Sequence, residues 1–340
     1  MTVVEIKDLD KQIKSGNLGS LYFFYGEEQF LLENKIKSIK THLLDADFAD
    51  LNYVQFDDKK LSVQSLSDEL MSVPVMSEKK LIVVKNSGIF SNSKLGDYKT
   101  VCELVADIPD YLCVIFTEKE FDKKKEKNLD PIKKHGEIVK FEPLSPVQLE
   151  RWIDKIFTDK GKSILPRDAG TIIRLCGQGM GALFNEVNKV LSYVGERQKV
   201  TEEDILAVVS KSTETRIFDV IDSIASGKSH GVFDELAELR ASGEDPSKVL
   251  TLLASRIADI LMVKQLAMDN LSSAKIAAYF EPKRPTFVVD KLIEQSRKFS
   301  EEYLAQMTVL GPYYTAEVRS GRLDKWVALE MYAANLLKRG

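Results

Sequence analysis

The sequence lacks the features that mark disulfide-stabilised, zinc-binding and membrane-spanning proteins. Among its 340 residues only Cys102, Cys113 and Cys176 are cysteines, and they are dispersed and odd in number. They therefore suggest neither a disulfide framework nor a zinc site. No apolar run approaches the roughly 20 residues that a membrane helix needs, and the first residues lack the apolar core of a signal peptide. We expect a cytoplasmic protein with no metal and no membrane contact.

The chain also lacks a strong excess of either charge. Its formal net charge is −4, with 44% hydrophobic and 29% charged residues. These proportions are typical of soluble globular proteins, and the length suffices for two or three domains. The slightly negative balance argues against a dedicated nucleic-acid-binding protein, although it permits a local basic patch.

Residues 21–37 predict a buried strand, a tight turn and a helix. The apolar and aromatic run at 21–25 has the composition of a strand buried on both faces, and Gly26 ends it. Nucleotide-binding α/β folds place phosphates at such a turn. A phosphate loop needs GxxxxGK[ST], whereas this turn has one glycine followed by Glu27 and Glu28, whose carboxylates repel phosphate. We infer a nucleotide-binding scaffold that binds no nucleotide.

Strand-like and helical segments alternate through the first part of the chain. The predicted strands are 21–25, 52–56, 79–84, 111–116 and 138–141. This alternation indicates a parallel sheet with helices on both faces. The third strand leads into Lys85, where an ATPase has acidic residues for magnesium. The fourth carries Thr117 where such enzymes keep a polar residue that senses the γ-phosphate, and we interpret Thr117 as a cap of the strand end.

Helical patterns replace the strands in the rest of the chain. Residues 145–211 predict a small all-helical domain, which after a domain of this kind is typical of the lid of AAA+ proteins. An active lid places an arginine near the start of its third helix, and Gly181 occupies that position here. Residues 212–340 predict a bundle of about six or seven helices without a catalytic constellation. Its long apolar faces favour assembly with partners.

Four stretches of the chain, in order, match one known family. They are YFFYGEEQFLLENKI at 22–36, VPVMSEKKLIVVKN at 73–86, GALFNEVNKVLSYVGERQKVTEEDI at 181–205, and IFDVIDSIASG at 217–227, which continues into 237–266. On these stretches the chain resembles the delta subunit of the bacterial DNA polymerase III clamp loader. The family has a degenerate AAA+ domain, a lid and a helical collar, which agrees with domains at 1–144, 145–211 and 212–340.

The resemblance implies a non-catalytic clamp-loader subunit without a cofactor. Such a subunit joins a ring with gamma/tau and delta prime type subunits through its collar, while other subunits hydrolyse ATP. It binds the sliding clamp (beta) and helps open it for loading onto primed DNA, which is reached through the complex. The DNA-directed DNA polymerase activity, a nucleotidyltransferase activity, belongs to the holoenzyme. The implied location is the nucleoid-associated replisome in the cytoplasm.

The family binds the clamp with a helix and loop just before the third strand, with two apolar side chains at the tip. The matching positions are Val75 and Met76, which follow Pro74. From the residues alone, a purely structural role for this apolar loop is as open as a binding role.

Two other functions remain open from the residues alone. The missing lysine, acidic pair and arginine argue against an active AAA+ ATPase or remodeller. Three acidic residues at 202–204 argue against a DNA-binding regulator that uses the middle helices. Within the lysine-rich segment 119–134, the candidates for DNA backbone contact are Lys123, Lys124, Lys125 and Lys127. Interleaved acidic residues also fit a solvated helix there.

Overall fold

The computed structural model describes residues 3–57, 62–92, 97–269, 271–280 and 286–338. The chain forms two compact units, Met1–Leu149 and Glu150–Gly340. The expected boundaries after residues 144 and 211 stay predictions.

Strands and helices alternate in the described part of the first unit. The strands are β1 (Val3–Val4), β2 (Leu21–Tyr25), β3 (Tyr53–Asp57), β4 (Lys80–Lys85), β5 (Leu112–Glu118) and β6 (Glu137–Lys140). The helices are α1 (Ile6–Ser15), α2 (Gln29–Leu43), α3 (Val63–Met71), α4 (Asp97–Leu104) and α5 (Asp130–His135), with a 3-10 helix at Lys123–Leu129. The five predicted strands are all present, and β1 is an addition to them.

All strand pairs of this sheet are parallel, in the order β1-β6-β2-β5-β4-β3. The strand β2 therefore lies inside the sheet, and its side chains alternate between two cores. Phe23 packs with side chains of α3, α4 and α5 on one face, and Phe24 packs with those of α1 and α2 on the other. The composition of the strand predicted this burial on both faces.

The described residues of the second unit form helices. They are α6 (Pro146–Asp159), which begins in the first unit, α7 (Pro166–Cys176), α8 (Met180–Val194), α9 (Glu202–Val208), α10 (Thr213–Ala225), α11 (Ser229–Ala241), α12 (Pro246–Met268), α13 (Ser273–Ala277), α14 (Thr286–Ser296), α15 (Glu301–Arg319) and α16 (Lys325–Leu337). A single buried apolar cluster joins α10 to α16. None of the helices within the described ranges is long and apolar enough to cross a membrane.

Candidate functional site

The tip, defined here as Pro74, Val75 and Met76, lies in the loop between α3 and β4. Val75 is 47% exposed and Met76 is 76% exposed, so neither side chain belongs to the core. Met76 has a φ of 49°, in the left-handed region that residues other than glycine seldom adopt. Such strain persists only where the surrounding structure holds the backbone, and it is common at binding sites.

Other exposed apolar side chains lie on the segments that meet at the tip. They are Leu51, Met71 and Val73. Large apolar side chains exposed together mark surfaces that bind other proteins.

The side chain of Asn52 holds the backbone of the tip through hydrogen bonds. Its side chain is fully buried, and Nδ2 donates hydrogen bonds to the carbonyl oxygens of Val75 at 2.8 Å and Phe48 at 3.0 Å. Its Oδ1 accepts a hydrogen bond from the N–H of Val75 at 2.7 Å. One buried amide therefore satisfies both backbone groups of Val75, which fixes the direction in which the tip points.

A second contact fixes the base of the same loop. The ammonium group of Lys80, at the start of β4, bonds to the carboxylate of Glu69 and to Oγ of Ser72. Ser72 Oγ in turn donates to the carbonyl oxygen of Glu69 at 2.8 Å. Because Lys80 is only 5% exposed, water screens this ion pair weakly. The end of α3 is thus attached to the first residue of β4.

The nucleotide-type site lies at the other edge of the sheet, where β2 ends at Gly26. Gly26 has a φ of 139°, and a Cβ built on it would lie 2.1 Å from the carbonyl oxygen of Phe141. Only glycine fits there. The backbone of Phe141, after β6, therefore lies directly against the turn.

Three backbone donors of this turn already bond to carbonyl oxygens of the chain. The N–H of Gly26 donates to the Glu118 carbonyl at 3.3 Å, and the N–H of Glu28 donates to the Phe141 carbonyl at 3.1 Å. The N–H of Gln29 donates to the carbonyl of Glu27 at 2.9 Å. A phosphate-binding turn must leave such donors pointing at its ligand. Burial also raises the pKa of the Glu28 carboxyl, more than the backbone N–H groups of Phe30 and Leu31 lower it.

Charged side chains complete the closure of this edge. Lys85 ends β4, and its Nζ lies 2.8 Å from Oε2 of Glu33 in α2. Glu118 ends β5, is 8% exposed, and accepts a hydrogen bond from the N–H of Gly88 at 2.7 Å. The two charged groups at these strand ends therefore bond to the protein itself.

The remaining predicted positions of the nucleotide-type site do not add a ligand group. Thr117 is buried within β5, and its carbonyl accepts a hydrogen bond from the N–H of Asn86 at 2.8 Å. Gly181 lies in the first turn of α8, in the second unit. Across the described ranges, no cluster of three or more acidic, histidine or cysteine side chains could hold a metal ion.

The candidate DNA contacts lie in the 3-10 helix before α5. Lys124, Lys125 and Lys127 are exposed, and within the described ranges no ion pair joins them to a carboxylate; the side chain of Lys123 lies outside the described residues. Phe121 packs edge-to-face against Phe23, with ring centroids 5.5 Å apart. Phe121 is half-buried, so part of its ring is used in packing against β2 and not available for stacking a base.

Two family models match most of the chain. The model of the DNA polymerase III delta subunit matches residues 22–142, and a second model, of the C-terminal domain of that same delta subunit, matches residues 214–336. The chain belongs to the DNA polymerase III delta subunit family. Membership in this family places it in DNA replication, as a subunit of DNA polymerase III.

Curated relatives and a solved structure agree with this membership. The DNA polymerase III subunit delta of Bacillus subtilis (strain 168) is 25% identical over 98% of this chain and 97% of that protein. The probable DNA polymerase III subunit delta of Aquifex aeolicus (strain VF5) is 23% identical over 72% of this chain and 71% of that protein. The structure of the Bacillus subtilis DNA clamp loader delta protein matches with a TM-score of 0.72 and 24% identity, over 98% of this chain and 99% of that one. The predicted fold class is confirmed as a parallel-sheet α/β domain followed by helical domains, and its assignment to the AAA+ type stays a prediction.

Sequence reasoning missed the residues that shape both sites. The apolar pattern assigns Asn52 to a strand, whereas it precedes β3 and bonds to a residue 23 positions away. Glu33, Glu118 and Phe141 carry no motif, although they close the nucleotide-type site. No local pattern identifies such residues, because each acts through a contact that is distant in the sequence.

Proposed function

We propose that this delta-family chain is a non-catalytic clamp-loader subunit that binds the sliding clamp through its tip and helps open it for loading onto primed DNA. The observation that carries the proposal is the exposed, fixed tip. Val75 and Met76 present apolar surface to solvent, while Asn52 removes freedom that the loop would otherwise lose on binding. Burying two such side chains supplies about 3–6 kcal/mol, enough to dominate a small interface.

Assembly with the gamma/tau and delta prime type subunits is assigned to residues 212–340. Exposed apolar pairs support this assignment: Val309 and Tyr313 on α15, and Val327 and Met331 on α16. Residues four apart lie on one side of a helix, so each pair forms a short apolar stripe. A ring neighbour would bury these stripes.

The non-catalytic role rests on the closed strand ends of the first unit. Donors, carboxylates and Lys85 there bond within the chain, which leaves ATP hydrolysis to other subunits. DNA is reached through the complex, with the exposed lysines of the 3-10 helix as candidates for direct backbone contact. The place of action is the nucleoid-associated replisome in the cytoplasm.

Co-purification with purified sliding clamp, with and without the other loader subunits, tests the proposal. The chain alone should elute together with the clamp on gel filtration. The reconstituted complex should have one subunit position that stays empty when this chain is left out. Absence of clamp from both the chain and the complete complex would contradict the proposal. Assembly without clamp binding would restrict the chain to a structural place in the ring.

A further inference from the structure

Asn52 connects the tip to the body of the first unit. Its side chain bonds to both backbone groups of Val75, and its own carbonyl accepts a hydrogen bond from the N–H of Leu81 at 2.8 Å. Register pairs Leu81 with Tyr53, the residue after Asn52. The contact therefore anchors the tip to the first rungs of the β3–β4 ladder.

The orientation of the amide follows from its partners. Two carbonyl oxygens, from Phe48 and Val75, face Nδ2, and one N–H faces Oδ1. Only an amide offers two donors and an acceptor in this planar arrangement, since a carboxylate lacks the donors and an alkyl side chain lacks both.

The surroundings of Asn52 isolate the effect of changing it. All three of its side-chain partners are backbone groups. Two charged side chains on the same segments are paired with other partners, Asp50 with Lys40 and Lys80 with Glu69. A carboxyl group introduced at position 52 would therefore act first on the backbone of the tip when it gains or loses its proton.

We propose that Asn52 is a positioning residue for clamp binding, which holds Val75 and Met76 in the binding conformation without touching the clamp. The inference rests on the proposed function. A loop that occupies its competent conformation only part of the time binds with an affinity reduced by that fraction. Met76 needs such a restraint because its positive φ is unfavourable for a free loop.

Asn52→Asp provides the test because its effect depends on pH. At pH 8 the introduced carboxylate meets two carbonyl oxygens and cannot donate to either. Burial raises the pKa of such a carboxyl, so a fall in pH protonates it and restores one donor beside one acceptor. Clamp dissociation constants of variant and wild type are measured at each pH, and their ratio cancels titration of the clamp itself.

We expect the ratio of dissociation constants to be at least about tenfold at pH 8 and to fall to about threefold or less at pH 5. Ile115→Val, a substitution in the sheet core, is the control for general loss of stability and should keep the ratio near one at both pH values. If Asn52 only stabilised the fold, the clamp affinity of Asn52→Asp at pH 5 would recover only as far as its melting temperature recovers.

Hydrogen exchange tests the same restraint without the clamp. The Val75 N–H donates to Oδ1 of Asn52, so it should exchange slowly in the wild type and at least about tenfold faster in Asn52→Ala, which removes that acceptor. Equal exchange in the wild type and Asn52→Ala, or wild-type clamp affinity of folded Asn52→Asp at pH 8, would overturn the inference. Wild-type protein that protects Val75 but fails to bind clamp would instead contradict the proposed function.

Asn52→Ala serves if the charged variant does not fold. Water can enter the space left by the amide, so this variant should bind the clamp less tightly by a factor that does not change with pH. Wild-type affinity of Asn52→Ala would also overturn the inference.

Discussion

The two candidate sites lie at opposite edges of one parallel sheet and differ in how their polar groups are used. The tip precedes β4, beside the amino ends of β3 and β4, and exposes apolar side chains. Gly26 and Lys85 lie at the carboxyl ends of β2 and β4, the edge at which α/β folds usually bind ligands. There three backbone donors and the charged groups of Lys85 and Glu118 bond to the chain itself.

This difference shows which edge still has interactions to offer a partner. A donor already bonded to a carbonyl gains little from a phosphate, because one hydrogen bond replaces another. An exposed apolar side chain gains the whole transfer from water when a partner covers it. Under the proposed function, the usual ligand edge has a structural role, and the exposed apolar side chains at the opposite edge are the surface that a partner covers.

Gly26→Ala should have the largest effect, and that effect should be on stability. Its Cβ would clash with the Phe141 carbonyl at 2.1 Å, and its φ of 139° is strained for any side chain. We expect a loss of at least about 3 kcal/mol in the free energy of unfolding, measured by urea denaturation.

Gly88→Ala is the matched control for that loss. Gly88 also has a positive φ, 69°, but a Cβ there would meet nothing within 4 Å. The loss in the free energy of unfolding for this variant should be about 1 kcal/mol. Equal losses for the two variants would show that the contact with Phe141 does not close the turn.

The double substitution Val75→Asp with Met76→Asp should have the next largest effect, on binding alone. It removes the apolar side chains of the tip and places two charges on the surface that we propose contacts the clamp. Surface plasmon resonance on immobilised clamp should show affinity weakened at least about a hundredfold, which is about 2.7 kcal/mol. The melting temperature should hardly change, because both side chains are exposed in the free protein.

Val147→Asp and Leu206→Asp provide the control for added charge, since the valine and the leucine there are similarly exposed. They should leave clamp affinity within about twofold. A tip variant that melts far below the wild type would show that the tip is part of the core. Unchanged clamp affinity would place the contact on another surface.

Sequence patterns located most of the strands and helices, whereas the tip comes from the family resemblance and stays a prediction. The patterns failed where an element is very short or where one long-range contact decides the structure. The run at 21–25 predicted β2 with its observed bounds, because burial on both faces leaves a continuous apolar signal. Neither β1 nor α13 was predicted, because two and five residues are too short to show a period. Asn52 was missed for a different reason, because its partner Val75 lies 23 residues away in the sequence.

The lysines of the 3-10 helix should have a smaller effect, on DNA binding by the loader complex. Replacing Lys124, Lys125 and Lys127 with Gln should weaken the affinity about threefold to tenfold at moderate salt. The slope of log affinity against log salt should fall by about 0.9 for each phosphate contact that is lost.

The control is a second triple variant with the same change in net charge. It replaces with Gln three lysines that are exposed on α1 and α2, namely Lys7, Lys14 and Lys37. It should leave the salt slope unchanged. Equal slopes for the two triple variants would favour a solvated helix at 123–129 and DNA contact through other subunits.

The smallest effect concerns ATP, for which we expect no saturable binding at micromolar concentration. The N–H groups of Gly26, Glu28 and Gln29 are bonded to carbonyl oxygens, and the Phe141 carbonyl faces the turn. Replacing Glu27 and Glu28 with Gln removes the repulsion of phosphate but frees none of these donors.

Isothermal titration calorimetry with Mg-ATP should therefore give the same flat titration for the wild type and for this double variant. Charge repulsion and occupied donors make different predictions here, because only repulsion disappears in the variant. Saturable binding by the variant alone would show that the two carboxylates keep the nucleotide out. Binding by the wild type would show that the carboxyl edge remains a ligand site, and the contrast between the two edges would then be wrong.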